Sequence, residues 1–92
     1  MDLPSYKEES ARTFAYRQEP LDAKTTEMLH CAIGAATEAG ELLDAFKKHI
    51  FYGKPLDVVI VGEELADMMW YISNMARICD LDMEKLLQNN ID

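Results

Sequence analysis

Apolar residues along this chain recur at three- and four-residue intervals, and β-branched residues rarely alternate with polar ones, so the pattern predicts helices throughout and no sheet. Leu3, Tyr6, Phe14 and Ala15 form a loose apolar stripe reaching about Arg17. Ser5-Tyr6-Lys7-Glu8 has capping-box form at its start, and Gln18-Glu19-Pro20 breaks it. Asp22 is placed to cap a long second helix that runs towards His49 or Ile50, about 40 Å at 1.5 Å per residue. Phe51-Tyr52-Gly53-Lys54-Pro55 is the clearest loop, with Gly as stop and Pro beyond it. A third helix is expected from near Asp57 to about Cys79, and Asp80-Leu81-Asp82 separates a short fourth helix from Met83 onwards. The expected architecture is all-α, a four-helix bundle-type domain with two long central helices, occupying residues 1–92 as one domain.

Composition sharpens this picture. Hydrophobic residues make up 49% of the 92 and charged ones 28%, which is globular rather than disordered. A core of this size is marginal alone, so burial against a second copy, as a dimer or dimer of dimers, is the expectation. Nine basic against 17 acidic residues leave a net charge of -8. That argues against a nucleic-acid backbone or an anionic membrane as partner, because neither would find a basic face. A nucleotide would share the sign of the protein, and divalent cations would have to bridge the two. Cys31 and Cys79 sit in apolar helical patterns without CxxC spacing and read as reduced, buried thiols. No run approaches about 18 apolar residues and Met1-Asp2-Leu3-Pro4 opens no signal peptide, so a cytoplasmic location is expected.

Two carboxylate pairs at i,i+3 draw the eye, Glu38 with Glu41 and Glu64 with Asp67. Spacing alone decides nothing. An acidic fraction of about 0.18 predicts roughly three such pairs by chance over ~89 positions, and the chain holds four with Glu19/Asp22 and Glu41/Asp44. Position on the helix is more telling. At about 100° per residue, Ile60, Glu64, Asp67, Tyr71, Asn74 and Ile78 fall along one line. Glu64 lies inside the apolar sector of Val61, Leu65, Met68, Tyr71, Ile72 and Met75, with Asp67 at its edge. Glu38 borders the arc of Cys31, Gly34, Ala35, Leu42 and Ala45, and Glu41 lies one step towards the polar side. A bare carboxylate in such a sector costs several kcal/mol unless neutralised or paired. Gly34 and Gly40 each cost about 1 kcal/mol against Ala in a helix interior. Close helix packing that gathers the acids around a metal compensates for this; tight packing alone is the other reading. Four carboxylates together repel, on the order of 4 kcal/mol per pair at 4 Å and an effective dielectric of 20. Oxygen-only ligands favour Mg²⁺, Mn²⁺ or Ca²⁺ over zinc.

The segment Glu38-Ala39-Gly40-Glu41-Leu42-Leu43-Asp44, followed by Glu63-Glu64-Leu65-Ala66-Asp67-Met68-Met69-Trp70-Tyr71-Ile72, resembles the MazG-like all-α nucleoside triphosphate pyrophosphohydrolases. That family carries E-x-x-E on one helix and E-x-x-D on the next, with a short loop between, and Lys48 to Asp57 is similar to that loop. The resemblance covers about residues 28 to 92. It implies that Glu38, Glu41, Glu64 and Asp67 hold Mg²⁺, with Mn²⁺ as the alternative, and that the metal binds a nucleoside triphosphate. An activated water then splits the α–β phosphoanhydride to give monophosphate and pyrophosphate. Glu41 and Glu63 are the candidate general bases. Ala66 stands where members commonly have Gly. Relatives continue past an Asn with a basic stretch, whereas this chain stops at Asp92 just after Asn89 and Asn90; two readings stay open, a site without the phosphate contacts of that stretch and a truncated C-terminus.

Lys47, Lys48 and Lys54 flank the loop and are placed either to meet phosphate oxygens or to complement the helix dipole. Asn74 is placed to orient a ligand, to touch substrate, or to bond within the bundle. Trp70 reads as an oligomer contact or a stacking surface, and His49 as a C-terminal capping cation. Glu27-Met28-Leu29-His30 is a lone E-x-x-H, where a di-iron bundle needs two such motifs and two further glutamates. Two further functions stay open: a non-catalytic all-helical dimerisation or regulatory module, and a pyrophosphohydrolase acting on phosphoribosyl-ATP. The carboxylate within the apolar sector favours an active site, since packing alone would prefer Leu at position 64.

Overall fold

Residues Met1–Asp92, all described by a computed structural model, form four α-helices and no strand. These are α1 (Leu3–Ala11), α2 (Ala23–Phe51), α3 (Val58–Ile78) and α4 (Met83–Ile91). Each starts on an aspartate, namely Asp2, Asp22, Asp57 and Asp82, whose carboxylate accepts from backbone N–H groups that the first turn leaves unpaired. The Thr25 N–H donates to Asp22 at 2.6 Å, as the sequence pattern predicts. The start of α1 differs from expectation. Asp2 caps it, accepting from the Ser5 N–H at 2.8 Å, and Pro4 sits inside the first turn where no N–H is needed.

The end of α1 differs as well, at Ala11 rather than near Arg17. The N–H groups of Arg12, Thr13 and Phe14 donate three residues back, at 3.2, 3.3 and 3.3 Å, and no residue of α1 is buried. A helix this short has no packing to prolong it.

The one extensive helix–helix contact joins α2 to α3. Cys31 and Gly34 on α2 and Ala76 on α3 are the buried residues, flanked by half-buried Ala35, Leu42, Ala45, Val61, Met68, Tyr71 and Met75. Small residues on α2 let the large side chains of α3 lie against its backbone. At Gly34 a Cβ would overlap the Tyr71 ring, whereas nothing approaches within 4 Å of one at Gly40. Gly34 therefore makes the close approach, and Gly40 has no such role within the chain. At the far end Cys79 Sγ lies 3.3 Å from Met28 Sδ and 3.8 Å from Met75 Sδ, and both cysteines are free.

The turn between the two helices is closed by Gly53 at φ +68°, a conformation that suits glycine. The Lys48 carbonyl accepts from the N–H groups of Tyr52 and Lys54 at 3.2 and 3.1 Å. His49 Nδ1 donates to the Lys54 carbonyl at 2.7 Å. His49 thus ties the turn to the helix end. At the end of α3, Asp80 takes φ 53° and the Leu81 N–H returns to the Ala76 carbonyl at 2.9 Å.

All four expected helices are present, but one chain packs only two of them into a hairpin. α1 and α4 bury no residue. Three of 92 residues are buried in all. The radius of gyration is 19.1 Å, where a compact chain of this length has about 12 Å. No helix is long and apolar enough to cross a membrane.

Candidate metal centre

The antiparallel hairpin places the second half of α2 beside the first half of α3. Glu38 and Glu41 lie one turn apart on α2, and Glu64 faces them from α3. One carboxylate oxygen from each of the three lies within 4.8 Å of the other two. On a six-coordinate magnesium adjacent ligands are about 3 Å and opposite ones about 4.2 Å apart, so the three side chains must draw closer together to share one ion.

Glu38 and Glu64 are half-buried and Glu41 is exposed. The Glu64 carboxyl is pushed up from 4.5 to about 7. A hydrogen bond shared with the Glu38 carboxyl raises it most, followed by withdrawal from water and the charges of Glu41 and Glu38. A carboxyl–carboxyl bond requires a proton. When both acids are ionised neither can donate, and Glu38 Oε2 and Glu64 Oε2 are left shielded from solvent without a partner. An orphaned pair of this kind is costly. Either a shared proton or a hard cation resolves it, and an all-oxygen donor set suits Mg²⁺ or Mn²⁺.

Asp67 is exposed and stands outside this trio. It lines a neighbouring recess with Glu38, Trp70 and Tyr71. Trp70 therefore borders the acidic group, and its ring meets Tyr71 edge-on at 5.0 Å, with His30 on the same tyrosine at 5.8 Å. Glu63 is exposed and lines neither recess. Asn74 spends its amide within its own helix, donating to the Trp70 carbonyl at 2.9 Å and accepting from Arg77 at 3.0 Å.

A larger open recess of about 460 Å³ adjoins the trio, lined by Glu41, Glu64, Lys48, Lys54, Asp44 and Asp57 among others. Of the three lysines around the loop, Lys48 and Lys54 thus line the space beside the carboxylates and Lys47 does not. Lys48 Nζ lies 2.9 Å from Asp44, and Lys47 Nζ 3.6 Å from the same carboxylate. The hydrogen bond from Lys48 holds the Asp44 carboxyl below its ordinary value. Lys54 makes no ion pair with an acidic side chain. Asp44 and Asp57 were not singled out for the site by sequence reasoning. The Asp44–Lys48 spacing of i,i+4 was the available signal for the first, and the second is an N-cap that happens to border the recess.

No protein-family model, no curated protein and no solved structure matches the chain.

Proposed function

We propose that this protein is a magnesium-dependent nucleoside triphosphate pyrophosphohydrolase, converting a (d)NTP and water to (d)NMP and pyrophosphate. One observation carries the reading: two solvent-shielded carboxylate oxygens, on Glu38 and Glu64, face each other without a partner beside the exposed carboxylate of Glu41. The motif resemblance of Glu38 to Asp44 and Glu63 to Ile72 supplies the class of reaction.

Glu38, Glu41 and Glu64 would hold the cation, with Asp67 as the outer member of the set. When bound, the metal neutralises the triphosphate and lowers the pKa of a coordinated water. Lys54 and Lys48 reach phosphate oxygens from the recess. The oxygen of water bonds to the α-phosphorus as the α–β bridging bond breaks, pyrophosphate leaves with the bridging oxygen, and Glu41 accepts the proton of the water. Glu41 suits that task better than Glu63, which lies outside both the trio and the recess. The working form is a homodimer or homotetramer.

The test is incubation with a panel of NTPs and dNTPs plus Mg²⁺. Pyrophosphate release without orthophosphate is expected. Failure to turn over any of them would leave a non-catalytic helical module as the better reading. Glu41→Gln is expected to lower kcat by at least about 100-fold with the helical circular dichroism unchanged; full activity would remove it from the mechanism.

A further inference from the structure

Lys54 is the one basic residue in the turn between α2 and α3, and it lines the recess beside the carboxylate trio. Three restraints act on its backbone. Its N–H donates to the Lys48 carbonyl at 3.1 Å, and its own carbonyl accepts from His49 Nδ1 at 2.7 Å. Pro55 after it biases it towards extended backbone.

The bond from His49 is the one that closing the helix end does not need. The N–H groups of Tyr52 and Lys54 already meet the Lys48 carbonyl, and Gly53 supplies the reversal at φ +68°. A carbonyl only accepts, so His49 Nδ1 carries a hydrogen, and the imidazole ties the last turn of α2 to the far side of Gly53. The carbonyl it selects belongs to the residue whose side chain lines the recess.

Charge singles out the same lysine. Lys48, the other cation of the recess, lies 2.9 Å from Asp44, whereas Lys54 makes no ion pair. An ammonium without an acidic partner, on a chain of net charge -8, is free to meet an anion from outside. Because the backbone beneath it is already ordered, an incoming phosphate chain does not bear the entropy of gathering the turn.

We propose that His49 is a positioning residue for Lys54: by holding the Lys54 carbonyl it sets the ammonium beside the trio, where it meets the phosphate chain of a metal-bound nucleotide. His49 itself touches no substrate. The reaction this serves rests on the pyrophosphohydrolase reading, whereas the pairing of His49 with Lys54 rests on the turn alone.

Inorganic tripolyphosphate with Mg²⁺ is the probe, read by titration calorimetry. His49→Ala should weaken its binding about fivefold, the share of one net hydrogen bond, and Lys54→Ala at least about tenfold. The double variant should match Lys54→Ala, since a group acting through the ammonium adds nothing once the ammonium is gone. His49→Asn, whose amide nitrogen falls where Nδ1 stands, should restore binding, and His49→Ala should bind Mg²⁺ alone as the parent does. With a nucleotide that is turned over, His49→Ala should raise KM and retain kcat. Parent-like tripolyphosphate binding by His49→Ala, additive losses in the double variant, or a parent that does not bind the probe overturns the proposal. If His49→Ala fails to fold, His49→Asn against His49→Gln decides: the longer amide reaches the position of Nε2 and should bind as weakly as Ala is expected to, and equal binding by the two overturns the assignment. A chain that binds tripolyphosphate through this pair yet turns over no nucleotide keeps the inference and sinks the enzymatic reading. Pyrophosphate release with an unaltered KM in His49→Ala does the reverse.

Discussion

At the scale of single residues, Glu64 sets the response of the metal-free protein to pH. Its folded-state value of about 7 lies above the ordinary 4.5, so its contribution to stability is complete below pH 4.5 and lost as pH rises through 7. The melting temperature of the metal-free protein is therefore expected to decline across that window. Glu64→Gln should flatten the decline and, above pH 7, melt higher than the parent; a lower melt there would contradict the crowded-acid geometry. Cation binding at pH 6 should release a proton, measurable with an indicator dye, and affinity should climb with pH until about 7. Helical periodicity foretold the burial of Glu64 and Glu38, because a wheel reports which sector a residue occupies. It could not report reach. Asp67 occupies the same line as Glu64 yet opens into the next recess, and Trp70, on the polar side of the wheel, turns out to border that recess. Both outcomes depend on χ angles and on how far the facing helix stands away, neither of which is written in spacing.

At the scale of elements, the two long helices were legible because their signals agree: aspartate caps, sustained apolar periodicity and a Gly-Lys-Pro stop. α1 is shorter than its apolar stripe because such a stripe counts only where a core receives it, and residues 12–17 are all exposed. The four-helix bundle was expected from helix number, whereas closure depends on contacts that four segments do not guarantee. Gly34 and Gly40 illustrate the same limit, being equivalent in sequence and different in space. Gly40→Ala should raise stability by about 0.5–1 kcal/mol through helix propensity. Gly34→Ala gains that same term and loses about 1–3 kcal/mol to overpacking against Tyr71, for a net loss in chemical denaturation. Equal effects at the two sites would show that Tyr71 swings clear.

At the scale of the molecule, ligand linkage should be visible. Mg²⁺ at 100 times its Kd should stabilise the folded chain by about 2.7 kcal/mol, read as a raised thermal midpoint, and Glu38→Gln should cancel most of the gain. The acid trio also lies partway along the hairpin. Covalent closure through residues 52–57 restrains it on one flank, and the seam of Gly34 with Tyr71 and Met28 with Cys79 on the other. Mutual repulsion therefore cannot relax by splaying the helices like an opened zipper. It stays held in a gap clamped at both ends, where an arriving counter-charge would meet three carboxylates already gathered within 4.8 Å of one another. Two glycines inserted after Gly53 would loosen one clamp, and titration calorimetry should then record weaker Mn²⁺ binding with the helices still formed.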